Sequence, residues 1–261
     1  MAMLEFGDDE ARRLDRSYAT SDVVGQRAQT LDMLCLQRGE RVLDIGSGPG
    51  HLLAAMAEAV GPAGAVHGMD PSEAMNALAR ERCASMPWAT VGTGDALALP
   101  FGDAAFDVAV STQVYEYVPD MPAAVAELRR VLRPGGRALV LDTDWDSLVW
   151  NVADRALHDR IIDAWEEHLA DSRLPRRLGG LLRRGGFDVT EQRVVPIFNP
   201  RLHADTFSVT IKETIAAFVP GRRGVTADDT AAWLADLQAR AAEDEYFFSL
   251  NRYAFLATVR G

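Results

Sequence analysis

Short apolar runs alternate with longer stretches in which apolar residues recur every three or four positions, and this rhythm holds through the first two thirds of the chain. The short runs predict strands and the longer stretches amphipathic helices. Residues 21–37 read as a helix leading into a strand at Arg41–Ile45. A glycine-rich turn, Gly46–Gly50, precedes a helix at Leu52–Val60, which Gly61, Pro62 and Gly64 end. Ala65–Met69 is the second strand. Asp70 and Pro71 close it, and Ser72 caps a helix running to about Ser85. Trp88–Val91 and Phe106–Ser111 are the third and fourth strands. Asp120 and Pro122 open a helix over Ala123–Leu132, which Pro134, Gly135 and Gly136 stop. Arg137–Asp142 is the fifth strand. Strands alternating with helices predict an α/β fold around a largely parallel sheet covered on both faces.

After Asp142 the rhythm changes. Residues 151–170 carry a long amphipathic pattern that a minimal alternating fold does not need. A helix at 174–184 and a strand at Asp188–Val195 restore the alternation. Residues 196–251 interrupt it again with about two helices, one opened by Thr226 and Asp229 in capping-box spacing. Arg252–Val259 is the seventh strand. One domain over 1–261 is expected, with a core at about 20–142. Two insertions, about 143–173 and 196–251, are expected to cap the carboxyl ends of the strands, where open α/β sheets bind ligands.

Composition narrows the picture little, and charge narrows it more. The chain has 261 residues, 48% hydrophobic and 25% charged, as in ordinary globular proteins. Its net charge of −11 argues against a nucleic-acid partner, which needs a basic face. The arginine-dense stretch Arg173, Arg176, Arg177, Arg183 and Arg184 runs at helical spacing beside Leu174, Leu178, Leu181 and Leu182, so it reads as the solvated face of a helix. Lys212 is the one lysine beside 26 arginines. Cys35 and Cys83 are far apart and form no CxxC, so they read as free thiols, buried or half-buried, and no metal site is expected. The opening MAMLEFGDDEARR has neither a leader's apolar core nor an anchor. No apolar run reaches the roughly 18 residues of a spanning helix. A cytoplasmic protein without membrane contact is the expectation.

Five segments carry candidate chemistry. In Val42-Leu43-Asp44-Ile45-Gly46-Ser47-Gly48-Pro49-Gly50 a buried strand enters a glycine turn and then a helix. Gly46 and Gly48 let backbone approach a ligand that a Cβ would exclude. The helix N-terminus offers free amides, and Asp44 can meet an ammonium group. The spacing is GxGxG rather than the GxGxxG of nicotinamide-binding loops, and Asp44 would repel a pyrophosphate. Asp70, 20 residues beyond Gly50, can accept both hydroxyls of a ribose or simply lead the helix of Asp-Pro-Ser. Gly94-Asp95-Ala96, with Leu97, Leu99, Pro100 and Phe101, suits an adenine slot. Asp95 there accepts from an exocyclic amine and the Ala96 amide donates to a ring nitrogen. Phe106–Ser111 with Tyr115-Glu116-Tyr117-Val118, and Leu128–Gly136 reading LRRVLRPGG, complete the set.

In this order the segments resemble the class I S-adenosylmethionine (SAM)-dependent methyltransferases, in particular the subfamily of ubiquinone/menaquinone-biosynthesis methyltransferases. The runs LDIGSGPG, DPSEAM, GDALALPF, FDVAVS and LRRVLRPGG carry the likeness over about 20–142. The resemblance implies a Rossmann-like fold with a mostly parallel seven-stranded sheet, helices on both faces and a helical substrate cap. It implies SAM as cofactor and a small-molecule methyl acceptor. Gly46, Ser47, Gly48 and Gly50 should line the methionine and sulfonium end. Asp70 should hold the ribose, with Pro71 and Met75 near the adenine and Asp95 and Ala96 at its edge. Ser111, Thr112 and Gln113 should lie under the methyl-donor end. Tyr18 resembles a tyrosine that folds over the cofactor, and Arg27 is expected at the methionine carboxylate. Relatives often read LEHVPD where this chain has Tyr115-Glu116-Tyr117-Val118-Pro119-Asp120, with Tyr117 in the histidine's place.

A phenol or carbon-acid acceptor needs a base, whereas an amine or thiolate does not. Candidates are His203 in the second insertion, His158 on the 151–170 helix with His168 beside it, His51 after the glycine loop, Asp144, and Tyr117. Histidines in such settings more often pack or face solvent. Asp142, Asp144, Trp145, Asp146 and Trp150 are suited either to holding a cationic amine or to capping the next helix and filling its core. Tyr246, Phe247 and Phe248 read as core. Two other functions remain open: SAM binding without methyl transfer, and nicotinamide-dependent oxidation. The second lacks a GxGxxG loop and a Tyr-x-x-x-Lys pair.

Overall fold

The computed structural model describes residues 8–261. The reading of the opening stretch as neither leader nor anchor rests partly on residues 1–7, which lie outside the described residues. Seven strands form one sheet: β1 (Arg41–Ile45), β2 (Ala65–Met69), β3 (Ala89–Gly92), β4 (Phe106–Thr112), β5 (Leu132–Trp150), β6 (Phe187–Asn199) and β7 (Phe248–Val259). Their order is β3-β2-β1-β4-β5-β7-β6. The first five run parallel, and β7 lies antiparallel between β5 and β6. The order reverses between β1 and β4, so the crevice at their carboxyl ends is a topological switch point.

Strand alternation sorts the core into two faces. Val42 of β1, Val108 and Val110 of β4, and Leu139 and Leu141 of β5 pack with α2 (Ser21–Leu34) and α3 (His51–Val60). Leu43, Ile45, Ala109 and Val140 face the other side, against α5 (Met121–Val131) and α7 (Pro175–Arg184). α4 (Glu73–Arg82) completes the first layer. Helices start where short polar side chains can hold free amides. Ser72 accepts from the Met75 amide, Asp120 from Ala123, and Asp154 from Leu157. Thr226 and Asp229 bond reciprocally at the start of α9 (Ala227–Ala242). In α7 the leucines are buried and Arg177, Arg183 and Arg184 face out, as the pattern predicts.

The second insertion holds two helices, α8 (Phe207–Phe218) and α9, as expected. The first differs from its pattern. β5 does not stop at Asp142 but continues to Trp150, pairing Val149 with Ser249 and Trp150 with Phe248. Leu148 and Trp150 are buried while Val149 is exposed, a period of two that belongs to a strand. The 151–170 helix is shorter and broken: α6 spans Arg155–Trp165, and a 3-10 turn follows at Glu166–His168. α6, α8 and α9 share a third apolar cluster with Trp145, Trp150 and the aromatic run's Tyr246 and Phe248. α1 (Asp8–Tyr18) packs on α8 and α2. Cys83 is buried, but Cys35, expected to be at least half-buried, is exposed at the end of α2. Among the described residues no helix is long and apolar enough to cross a membrane, and no group of metal-ligating side chains occurs.

Gly50 fixes how α3 meets α4. Its φ is 82°, and a Cβ there would lie 2.8 Å from both Cα and Cβ of Ala79. Gly25, on the exposed side of α2, has open space. Gly50→Ala should therefore lower the melting temperature by roughly 3–10 °C, while Gly25→Ala should leave it unchanged or raise it. Calorimetric melts of both variants test this, and equal shifts would contradict the packing assigned to Gly50.

Candidate functional site

The site is built at the switch point. After β1 the chain turns through Gly46, Ser47 and Gly48, with φ of 72° at Gly46 and 51° at Gly48, a region that favours glycine. The Gly46 and Ser47 amides both bond the Met69 carbonyl at the end of β2. Asp70, next in the chain, accepts from the Gly48 amide at 3.0 Å and the Ser72 amide at 2.9 Å. One carboxylate thus ties the glycine turn to the start of α4. A Cβ on Gly46 would strike Val114, whereas one on Gly48 would enter open space. Gly46 is therefore required by the protein's own packing. Gly48 borders the opening.

Polar side chains at the strand ends are buried but incompletely bonded. Asp44 is 1% exposed, and its Oδ2 has no hydrogen-bond partner. The hydroxyls of Ser47 and Thr143 and the Nε of Arg252 are in the same state. Buried polar atoms are nearly always paired, so such a group marks a place for a ligand or water. Alternation turns Asp44, Thr112, Thr143 and Arg252 to the α2 face. It sends Ser111 and Asp142 to the other face, so of the expected trio Ser111-Thr112-Gln113 only Thr112 points with Asp44. Ser111 is buried without a partner, and Gln113 gives its amide to the Leu141 carbonyl at 2.7 Å.

Burial and the neighbouring Asp70 raise Asp44 to about 7. Burial also raises Asp70, against the pull of the Ser72 and Gly48 amides. Tyr18 is raised to about 12 by burial, with Arg252, Asp70, Glu116 and Asp44 in its field. Tyr18 therefore lies within electrostatic reach of the acids at the strand ends. Arg27 donates to the Tyr18 carbonyl at 3.3 Å, which sets it near the same opening. Met75 is buried and Pro71 exposed beside Asp70. Asp95 is exposed and accepts from the Leu97 amide at 2.8 Å, with Ala96 buried next to it.

The candidate bases scatter. His158 is buried, accepts from Trp233 Nε1 at 3.2 Å and is held near 4 by burial, so it packs in the helical cluster. His168 stacks on Trp165 and bonds its carbonyl. His203 is exposed and receives the Asp205 amide. His51 bonds Asp15 of α1 at 2.8 Å. Asp144 is engaged by Arg176 at 2.8 and 3.0 Å, and Asp146 by Arg173 and Arg176. Trp145 packs on Trp165, while Trp150 donates to Tyr246. The tryptophans thus fill the core, whereas the acids cap no helix, α6 being capped by Asp154; Asp144 and Asp146 are taken up by arginines instead. Asp142 instead accepts the Val114 and Glu116 amides, which shapes the turn carrying Tyr117. Tyr117 is half-buried and packs on His168.

Gln26 and Arg252 have no place in the expectations, and Glu116 stands there only within a segment, with no role of its own. Glu116 is 1% exposed and accepts the Thr143 amide at 3.1 Å. A charged residue at 252 sharing strand parity with Ala254 was the available signal, because that parity points inward.

Residues 42–136 match the family model described as Methyltransferase domain. Over these residues the chain is similar to that methyltransferase family. The chain is 38% identical over 194 residues to an uncharacterized 37.1 kDa protein in transposon TN4556 of Streptomyces fradiae, covering 72% of this chain and 54% of that one. It is 37% identical over 122 residues to the demethylmenaquinone methyltransferase of Staphylococcus aureus, covering 47% and 51%. The chain thus spans about half the length of these relatives. Phosphoethanolamine N-methyltransferase 2 of Haemonchus contortus, solved in complex with S-adenosyl-L-methionine, superposes with a TM-score of 0.65 at 20% identity, over 99% of this chain and 58% of that one. The last likeness bears on the methyltransferase fold alone.

Asp44 supplies a pH test. Its ordinary value is 3.8, and the folded protein holds it near 7. The folded state thus binds the proton more tightly than the unfolded state does. The stabilisation is full below about pH 4 and is lost as pH rises to about 7. Asp44→Asn removes that loss. Relative to the natural protein it should gain on the order of 2–4 kcal/mol at pH 8 over its value at pH 4. Urea unfolding of both proteins at the two pH values measures this, and parallel pH profiles would refute it.

Proposed function

We propose that this chain binds SAM at the β1–β4 crevice and transfers its methyl group to a small-molecule acceptor. One observation carries the reading. A glycine turn tied to Asp70 borders open space at Gly48, and the buried Asp44 and Ser47 beside it hold oxygens without partners. These groups fit the cofactor chemically. Asp44 and Ser47 meet the methionine ammonium, and Asp70 has lone pairs left for the ribose hydroxyls. Arg27 lies toward the carboxylate, with Met75, Asp95 and Ala96 at the adenine. The methyltransferase-domain match over 42–136 and the demethylmenaquinone methyltransferase relative support the activity. The net charge of −11 supports a small acceptor over a nucleic acid.

Bound there, SAM supplies a methyl group already made electrophilic by the sulfonium. The protein's work is then orientation and exclusion of water. Holding an acceptor in line about 3 Å from the methyl can contribute on the order of 7–11 kcal/mol. α6, α8 and α9, with Tyr18 of α1 and Tyr117, form the substrate cap over the strand ends and keep the attack dry. None of the cap histidines serves as a base in this reading, because His158 and His168 are packed and held neutral by burial.

Calorimetry with SAM and with NAD tests the cofactor. SAM should bind and NAD should not. Asp70→Ala should weaken SAM by about 1–3 kcal/mol through loss of the ribose acceptor, and Gly48→Val should abolish binding in a folded protein. Release of labelled methyl onto a panel of phenols, carboxylates and amines then tests transfer. SAM binding with no transfer to any of them would favour the binding-only alternative, and binding of NAD in place of SAM would overturn the proposal.

A further inference from the structure

Arg252 is 1% exposed, yet it makes no ion pair among the described residues. It stands on β7 opposite Thr143 of β5 and Val195 of β6, where alternation turns it toward α2. One terminal nitrogen bonds Gln26 Oε1, and the guanidinium carbon lies 4.7 Å from the centre of the Phe207 ring. Nε has no partner at all. Tyr18, Glu116, Asp22 and Tyr117 all act on its charge, but none closes to ion-pair distance. Asp22 is bonded elsewhere, to Asn199 and the Phe207 amide. Glu116 is turned onto the Thr143 amide.

Burying an arginine costs several kcal/mol unless its donors meet an anion in good geometry. Here the charge is buried, one donor is unused, and the neighbouring acid stands off. Burial also raises Glu116, which favours its neutral, proton-donating form and leaves the arginine's charge less compensated. The Phe207 ring lies against the guanidinium, and Tyr18 and Tyr117 belong to the same apolar cluster as Phe207.

Resting on the methyl-transfer reading above, we propose that Arg252 anchors the acceptor, and that the acceptor is a flat ring bearing an anionic oxygen: an aryl carboxylate, a phenolate or an enolate. The oxygen takes the free Nε–H of Arg252, with the Glu116 carboxyl as a second donor. The ring lies against the tyrosines, which sets its reacting atom toward the methyl-donor end near Thr112. This assigns the sign of charge that the cap selects, which the glycine turn and Asp70 leave open.

Benzoate, benzamide and benzylamine share one ring and differ in charge, so they probe the anchor directly. Each is titrated into the full chain by calorimetry, with and without S-adenosylhomocysteine. Benzoate should bind at least about ten-fold more tightly than the other two. Arg252→Met should lose that preference while keeping S-adenosylhomocysteine affinity within about two-fold, and Arg252→Lys should retain part of it. If Arg252→Met does not melt cooperatively, the three probes on the natural protein decide alone. Benzamide or benzylamine binding as well as benzoate, or no benzoate binding up to tens of millimolar, overturns the anchor. Failure of S-adenosylhomocysteine to bind while benzoate is still preferred defeats the methyl-transfer reading and leaves the anchor standing. Failure of the benzoate preference with S-adenosylhomocysteine bound defeats the anchor alone.

Discussion

Everything at this site depends on carboxylates being carried out of water at the carboxyl ends of the strands. Asp44 closes β1, Asp70 follows β2 and Asp142 lies within β5, and each is wholly or largely buried. Such groups are costly to bury and stay ionised only where donors surround them. Two of them are answered by the backbone. Asp70 takes the Gly48 and Ser72 amides on both oxygens, and Asp142 takes those of Val114 and Glu116 on one oxygen only. The same bonds set the two turns that face each other across the switch point. Asp44 lacks a full set of donors, and it is the group around which a cationic ligand would complete the structure.

The parallel half of the fold is legible because each local signal agrees with the global one. Five-residue apolar runs, glycine turns and short polar caps place β1 to β4 and the helices between them within a few residues. The glycine turn itself is only half legible. From sequence, Gly46 and Gly48 read alike. In the structure Gly46 is demanded by Val114, a contact 68 positions away, and only Gly48 faces the opening. Strand alternation likewise separates Ser111 from Thr112, which a contiguous motif cannot convey.

The antiparallel half is harder to read for a physical reason. Residues 143–150 carry two acids and two tryptophans, a composition that suggests a binding loop or a helix cap. Pairing with residues 248–251, about a hundred positions later, makes them a strand, and Arg173 just before α7 and Arg176 within it engage the acids. Both partners are distant in sequence, so no local pattern announces them. Arg252 was overlooked for the same reason, since its setting is assembled from α1, α2, α8, β5 and the turn before α5.

The first described helix is tied down by charge as well as by packing. Asp15 of α1 bonds both His51, at the start of α3, and Arg82, at the end of α4, while Arg82 also holds the Pro49 carbonyl. Tyr18, one turn further along, lies within electrostatic reach of the acids at the strand ends. The bridge holds α1 against the two helices that flank the glycine turn, and because its charges are partly exposed that hold weakens as ionic strength rises.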